Sequence, residues 1–393
     1  MNRHLLLLTL AQGLYLTNNV AFIAINGLVG LALAPVAWMA TLPVTGYVAG
    51  GALATGLVAR SQRRFGRRGS FQIGLLVAIV SAALCAYAAV TRNFWLLTAA
   101  TMLAGVYNAN GSLYRFAAAE LVAPSYKEKA ISWVLAGGIL GAVVGPNLAS
   151  ATREWFVQPF AGVYVALMGV AALGLAVISL VRFPPLPGAG GGAPSGRALR
   201  EIARQPVFIV AVAACALGYG VMNLLMAATP IAMAQCAHPF SAAALVLEWH
   251  VLGMYVPSFF TGSLIKRFGA LPVMAVGLLL NFVCVAIALS GVELMHFLAA
   301  LFALGVGWNF LFIGGTTLAT EAYRPEERTT AQAGVDFWVY ATMTLTSFGS
   351  GALVTTGGWT FMNLGTLLPL ALLAAALGWL AWLRRRAGRA LAA

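Results

Sequence analysis

The sequence predicts an all-α membrane protein of twelve transmembrane helices in two pseudo-symmetric six-helix bundles. Three observations predict it. Of 393 residues, 61% are hydrophobic and only 8% charged, against about 25% charged in ordinary soluble domains, and the mean hydropathy is +0.89. Apolar stretches long enough to cross about 30 Å of hydrocarbon at 1.5 Å per residue follow one another almost without interruption. Short patterns in the first half also recur at a constant offset in the second.

In chain order the spans fall at roughly 5–30, 36–59, 71–90, 94–120, 129–151, 158–182, 206–234, 240–265, 270–290, 295–321, 329–355 and 360–383. The first is too long, and too polar on one face, for a cleavable leader. Pro230 is expected to break span seven. Cys85, Cys215, Cys236 and Cys284 are scattered through apolar segments without metal spacing. They read as small hydrophobes, with no disulfide, metal or cofactor expected.

Arginines and lysines set the orientation. With the N-terminus cytoplasmic, 20 of the 23 fall on the cytoplasmic side, only Arg92 and Arg153 fall outside, and Arg115 lies within the membrane. Both termini are therefore expected inside. The net charge of +13 is a topology signal at helix ends and carries no expectation of nucleic acid. Ala/Gly/Arg-rich usage and short loops point to a bacterial inner membrane, and a monomer is expected.

The one extended Pro/Gly/Ser stretch runs from Phe183 to Arg204. It reads as a linker, dividing the chain into a bundle at 1–183, a cytoplasmic linker at 184–205 and a bundle at 206–393. Its basic end, Arg197 to Arg204, is expected on the inner leaflet. The halves echo each other. Asn108, Glu120 and Pro124 match Asn309, Glu321 and Pro325 at an offset of 201, Tyr107 matches Trp308, and Arg64-Phe65-Gly66 matches Arg267-Phe268-Gly269 at 203. Such repeats imply duplication about an axis along the membrane normal.

With the basic loops Arg63-Arg64-Phe65-Gly66-Arg67-Arg68 and Lys266-Arg267-Phe268-Gly269, the chain resembles the major facilitator superfamily of secondary transporters over its whole length. The family's loop pattern is G-x-x-x-D-R-x-G-R-R. Here Arg63 and Lys266 replace the aspartate and Ala59 the first glycine, leaving Glu120 and Glu321 to pair with the loop arginines. Gly141 to Pro146 resembles the core of the antiporter motif without its following glycine pair, and also suits a tight helix crossing. The arginine that drug/proton antiporters carry near Thr101 to Gly105 is missing, so that mechanism is not carried over. The resemblance implies alternating access around a central cavity lined by spans one, four, seven and ten.

In those spans polar residues recur at helical spacing. They are Gln12, Tyr15, Asn19 and Asn26; Asn108, Ser112 and Arg115; Tyr219 and Asn223; and Trp308, Asn309 and Thr316. Unsatisfied polar groups facing hydrocarbon are costly, so either a wet cavity or hydrogen bonds between helices must hold them. Arg115 either faces that cavity, holding an anionic group, or snorkels toward the surface. The set suits a mid-sized polar organic solute with an anionic or aromatic part.

Proton or other ion coupling needs a titratable group at depth. The candidates are Glu248, Asp336 and His250, and an Arg115–Asp336 pair would close an inner gate. Arg63, Arg64, Gly66, Arg67, Glu120, Lys266, Arg267 and Glu321 are the candidates for conformational control. No phosphate loop, metal cluster or soluble catalytic domain supports an enzyme. The expected partners are a small-molecule solute, protons or another coupling ion, and the bilayer. A uniporter and a transporter-like membrane sensor stay open as alternatives.

Overall fold

A computed structural model describes residues 3–123, 126–184, 196–324 and 327–392, all of whose regular structure is helical. The first bundle holds α1 (Arg3–Leu33), α2 (Leu42–Val90), α3 (Phe94–Gly111), α4 (Tyr114–Glu120), α5 (Lys127–Thr152) and α6 (Ala161–Ser179). A short helix, α7 (Leu199–Ile202), follows. The second bundle holds α8 (Pro206–Gln235), α9 (Phe240–Tyr255), α10 (Ser258–Phe268), α11 (Ala270–Ser290), α12 (Leu294–Ala319), α13 (Arg328–Thr356) and α14 (Gly358–Ala392). Of the expected linker, residues 185–195 lie outside the described residues.

Twelve crossings are assembled from these helices, and the sequence explains how. Spans two and three are the arms 42–65 and 67–90 of α2, which turns at Gly66 with φ 69°. Gly269, its counterpart between spans eight and nine, has φ 87°. Both need glycine because this backbone region crowds a Cβ. Among the described residues, eight helices are long and apolar enough to cross alone. The amides of α3 and the hydroxyls of α13 keep those two below that mark.

Span four is broken where one helix was expected. After Gly111 the chain turns through Ser112 and Leu113 before α4 begins, and the Ser112 hydroxyl donates to the Ala109 carbonyl at 2.9 Å. Span eight is likewise split into α9 and α10, bent by 40° at Val256–Pro257. The break expected at Pro230 is absent. Pro230 is fully enclosed and α8 runs through it, because packing on every side holds the turn despite the missing N–H.

Close helix crossings rest on small residues. A Cβ on Gly105 of α3 would fall 2.3 Å from the Gly51 nitrogen of α2. One on Gly141 of α5 would fall 2.5 Å from Leu16 of α1. The Gly141–Pro146 motif thus serves the crossing of α1 on α5.

The bundles meet firmly on the side remote from the termini. There Thr41 donates to the Ser347 carbonyl at 2.6 Å and accepts from the Gly351 amide at 2.9 Å. Trp38 packs edge-on to Phe348 at 5.8 Å. On the opposite seam Asn147 of α5 donates to Glu248 of α9 at 2.8 Å. Phe160 packs on Phe240 at 5.1 Å, with the Arg153 guanidinium over both rings.

Candidate solute site between the bundles

Beneath that seal lies a cavity of about 1370 Å³, counted to its open mouth, lined from both bundles. Asp336 lines it and is itself exposed, so the mouth faces the side of the termini. Of the residues expected from the sequence, Gln12, Tyr15, Asn19, Asn108, Ser112, Arg115, Tyr219, Asn223 and Trp308 line this one space, with Asp336.

Several of them are held by neighbouring helices. Tyr15 donates to Asn108 Oδ1 at 2.6 Å, and Asn19 donates to the same oxygen at 3.2 Å and to the Tyr47 hydroxyl at 2.9 Å. The Tyr15 ring lies over Gly111, where a Cβ would fall 2.2 Å from it. That contact explains why a glycine sits at the break in span four. Asn223 donates to Thr346 and Ser347 of α13 at 3.0 and 2.8 Å. Trp308 stacks on Phe312 at 5.1 Å and meets Tyr219 edge-on at 5.2 Å, forming an aromatic wall.

Three lining atoms are buried without a hydrogen-bond partner: Gln12 Oε1, Arg115 Nε and Trp308 Nε1. Buried polar atoms are rarely left so, and an occupant is the natural complement. Arg115 rests over the Phe116 ring at 4.8 Å. It forms no ion pair with Asp336, which lines the same space.

Three expected lining residues lie elsewhere. Asn26 is sealed within the first bundle, accepting from the Tyr164 hydroxyl at 2.7 Å and donating to the Phe22 carbonyl. Asn309 accepts from Thr261 at 2.6 Å and donates to the Met254 carbonyl and to Ser258, tying α12 to α9 and α10. Thr316 is exposed and bonds back to its own helix. All three satisfy their polar groups within one bundle. Glu248 is at the seam described above. His250 is enclosed in the second bundle, Nδ1 against the Leu301 carbonyl at 2.7 Å.

The chain matches the Major Facilitator Superfamily over residues 5–247 and again over 211–392. It belongs to that superfamily. A riboflavin transporter, RfnT, of Brucella anthropi is 39% identical over 365 residues, covering 92% of this chain and 91% of that one. An uncharacterized transporter of the Major Facilitator type, YddS of Bacillus subtilis, is 28% identical over 85% of this chain and 81% of its own length. A bacterial homologue of the human lysosomal transporter Spinster superposes with a TM-score of 0.72 at 16% identity, over 95% of each chain. The superfamily member described here is thus a multi-pass membrane transport protein, not an enzyme.

On the superfamily's basic-loop side, Arg67 holds Glu120 through Nη2 at 2.6 Å and Nε at 3.1 Å, and Nη1 donates to Gln62. Glu321 instead takes Arg384 of α14, at 2.6 Å. Lys266 and Arg267 are exposed, Arg267 over Phe268 at 5.1 Å, and so are Arg63 and Arg64. Sequence reasoning missed the lining from spans two, eight and eleven, Tyr47, Leu247, Val251, Tyr340 and Met343, and Met222 of span seven. Tyr340, one turn beyond Asp336 on the same face, carried a usable signal. The aliphatic residues carried none, since lipid-facing positions look the same.

Proposed function

We propose that this superfamily member carries riboflavin, or a neutral solute of the same build (a planar heteroaromatic ring with a hydroxylated tail), by alternating access. The observation that carries this is the cavity itself. It pairs an aromatic wall with three partnerless buried polar atoms, in a chain 39% identical to a riboflavin transporter. One cation and one carboxylate, Arg115 and Asp336, face the space, so its formal charge is balanced and a neutral solute leaves no net charge buried there.

With the termini cytoplasmic, the mouth opens inward and the seal closes the outer side. Solute contacts to both bundles draw the mouth shut, after which the outer seams part. A proton gradient drives the cycle through Glu248. Opening the outer seam separates Glu248 from Asn147, and a bare carboxylate at that depth is costly. Uptake of a proton from the outer side offsets the loss.

Counterflow of labelled riboflavin into proteoliposomes tests the reading, and uptake equal to that of protein-free liposomes overturns it. For the coupling, Glu248→Gln keeps an amide for Asn147 but cannot titrate. Its counterflow is expected to persist while accumulation driven by an imposed pH gradient is lost; accumulation like the wild type's removes Glu248 from the cycle.

A further inference from the structure

The cavity is graded along its axis. Val20, Ile23, Met222, Met226, Leu247 and Val251 line the end nearer the seal, together with Asn19, Tyr47 and Asn223, whose polar groups are bonded to neighbouring helices, whereas Gln12 and Arg115, nearer the termini, keep open polar atoms. A bound solute therefore lies end-on, its apolar end deep and its hydrogen-bonding end at the level of Gln12 and Arg115.

Gln12 and Arg115 sit at the same depth on neighbouring helices. The Tyr15 ring covers Gly111 and meets Tyr114 at 6.1 Å. Gln12 lies three residues nearer the termini than Tyr15, and Arg115 four residues beyond Gly111, past the turn at Ser112–Leu113. Gln12 is 6% exposed, and its Oε1 has no partner. Arg115 offers only donors, and its buried Nε is likewise open. An acceptor beside a donor matches a ring N–H beside a ring C=O. The second bundle adds the open Trp308 Nε1 donor, suited to a further carbonyl.

We propose that Gln12 and Arg115 select the solute by reading the N–H/C=O edge of a cyclic imide or lactam, with Gln12 Oε1 accepting from the ring N–H and Arg115 Nε donating to the adjacent carbonyl. This rests on the flavin reading and names the part of that ring the protein recognises. Recognition then depends on the edge, not on the hydroxylated tail.

Calorimetric titration of the purified protein with riboflavin, lumiflavin (the same edge without the tail) and the 3-methyl derivative of each is the test. Methylation removes the ring donor. In the wild type it is expected to weaken binding about tenfold or more, whereas loss of the tail costs less. In Gln12→Leu, and in Gln12→Met as a check on packing, free and methylated rings bind alike. Equal binding of the two rings by the wild type, or a methylation penalty unchanged in both variants, overturns the inference while leaving riboflavin transport standing. The expected pattern with lumiflavin, in a protein that carries no riboflavin into liposomes, overturns the transport reading and keeps the edge reader. Absence of binding by any of the four compounds overturns both.

Discussion

Arg115 shows what a single residue reveals and conceals. Its place on a polar stripe with Asn108 and Ser112 was legible, because a period of 3.6 puts them on one face. The same period groups Asn26 with Gln12, Tyr15 and Asn19, yet Asn26 is taken by Tyr164. Periodicity gives a face but not a partner, and Asn26 is turned into the first bundle rather than into the cavity. Asn309 repeats Asn108 at the 201 offset but meets Thr261 on α10, a partner brought there by the Pro257 bend. A hydrogen bond to a charged group contributes about 1.5–3 kcal/mol, so Arg115→Ala is expected to lower transport roughly 10- to 100-fold. Arg92→Gly, at an exposed far-side turn with φ 54°, is expected to stay within about twofold of the wild type in the same counterflow assay.

Among the elements, the breaks were the least legible feature. Proline was the signal used, and it misplaced one break at Pro230, because an enclosed helix tolerates a proline that a free one would not. The break in span four has no proline; it comes just after Gly111, where the Tyr15 ring leaves no room for a side chain. The stretch before α8 shows another device unreadable from sequence. Glu327 accepts from the Arg197 guanidinium at 2.7 and 2.9 Å, from the Arg324 amide at 2.9 Å and from the Arg197 amide at 2.8 Å, fastening α7 to the foot of α13. The Arg197 guanidinium first, then the two amides, hold this carboxyl well below the usual carboxylate range. A depressed carboxylate stabilises the fold at neutral pH, and the gain is lost as pH falls from the unfolded value, about 4.3, toward the folded one. Glu327→Gln is therefore expected to lower Tm at pH 7, with the gap to wild type narrowing below about pH 4, as followed by melting in detergent across pH.

For the whole molecule, the class and the duplication were plain in the sequence, since composition, charge bias and the 201–203 offsets bear on every span at once. Which side would be closed was not, because both states use the same residues. The Thr41 seal gives a handle on that choice. A Cβ at Gly351 would fall 2.8 Å from the Thr41 nitrogen and 3.1 Å from its Cβ, inside the roughly 3.5–4.5 Å of a disulfide, so the seam must part slightly to take the bond. Thr41→Cys with Gly351→Cys is expected to cross-link under mild oxidant, to stop transport, and to recover on reduction, as followed by counterflow before and after dithiothreitol.

Trp308 has a further consequence. It is one of ten tryptophans, and its indole is part of the cavity wall. A yellow heteroaromatic arriving beside it would drain its ultraviolet emission, so the unlabelled protein carries its own occupancy gauge. Trp308→Phe would leave the other nine indoles as the reference signal.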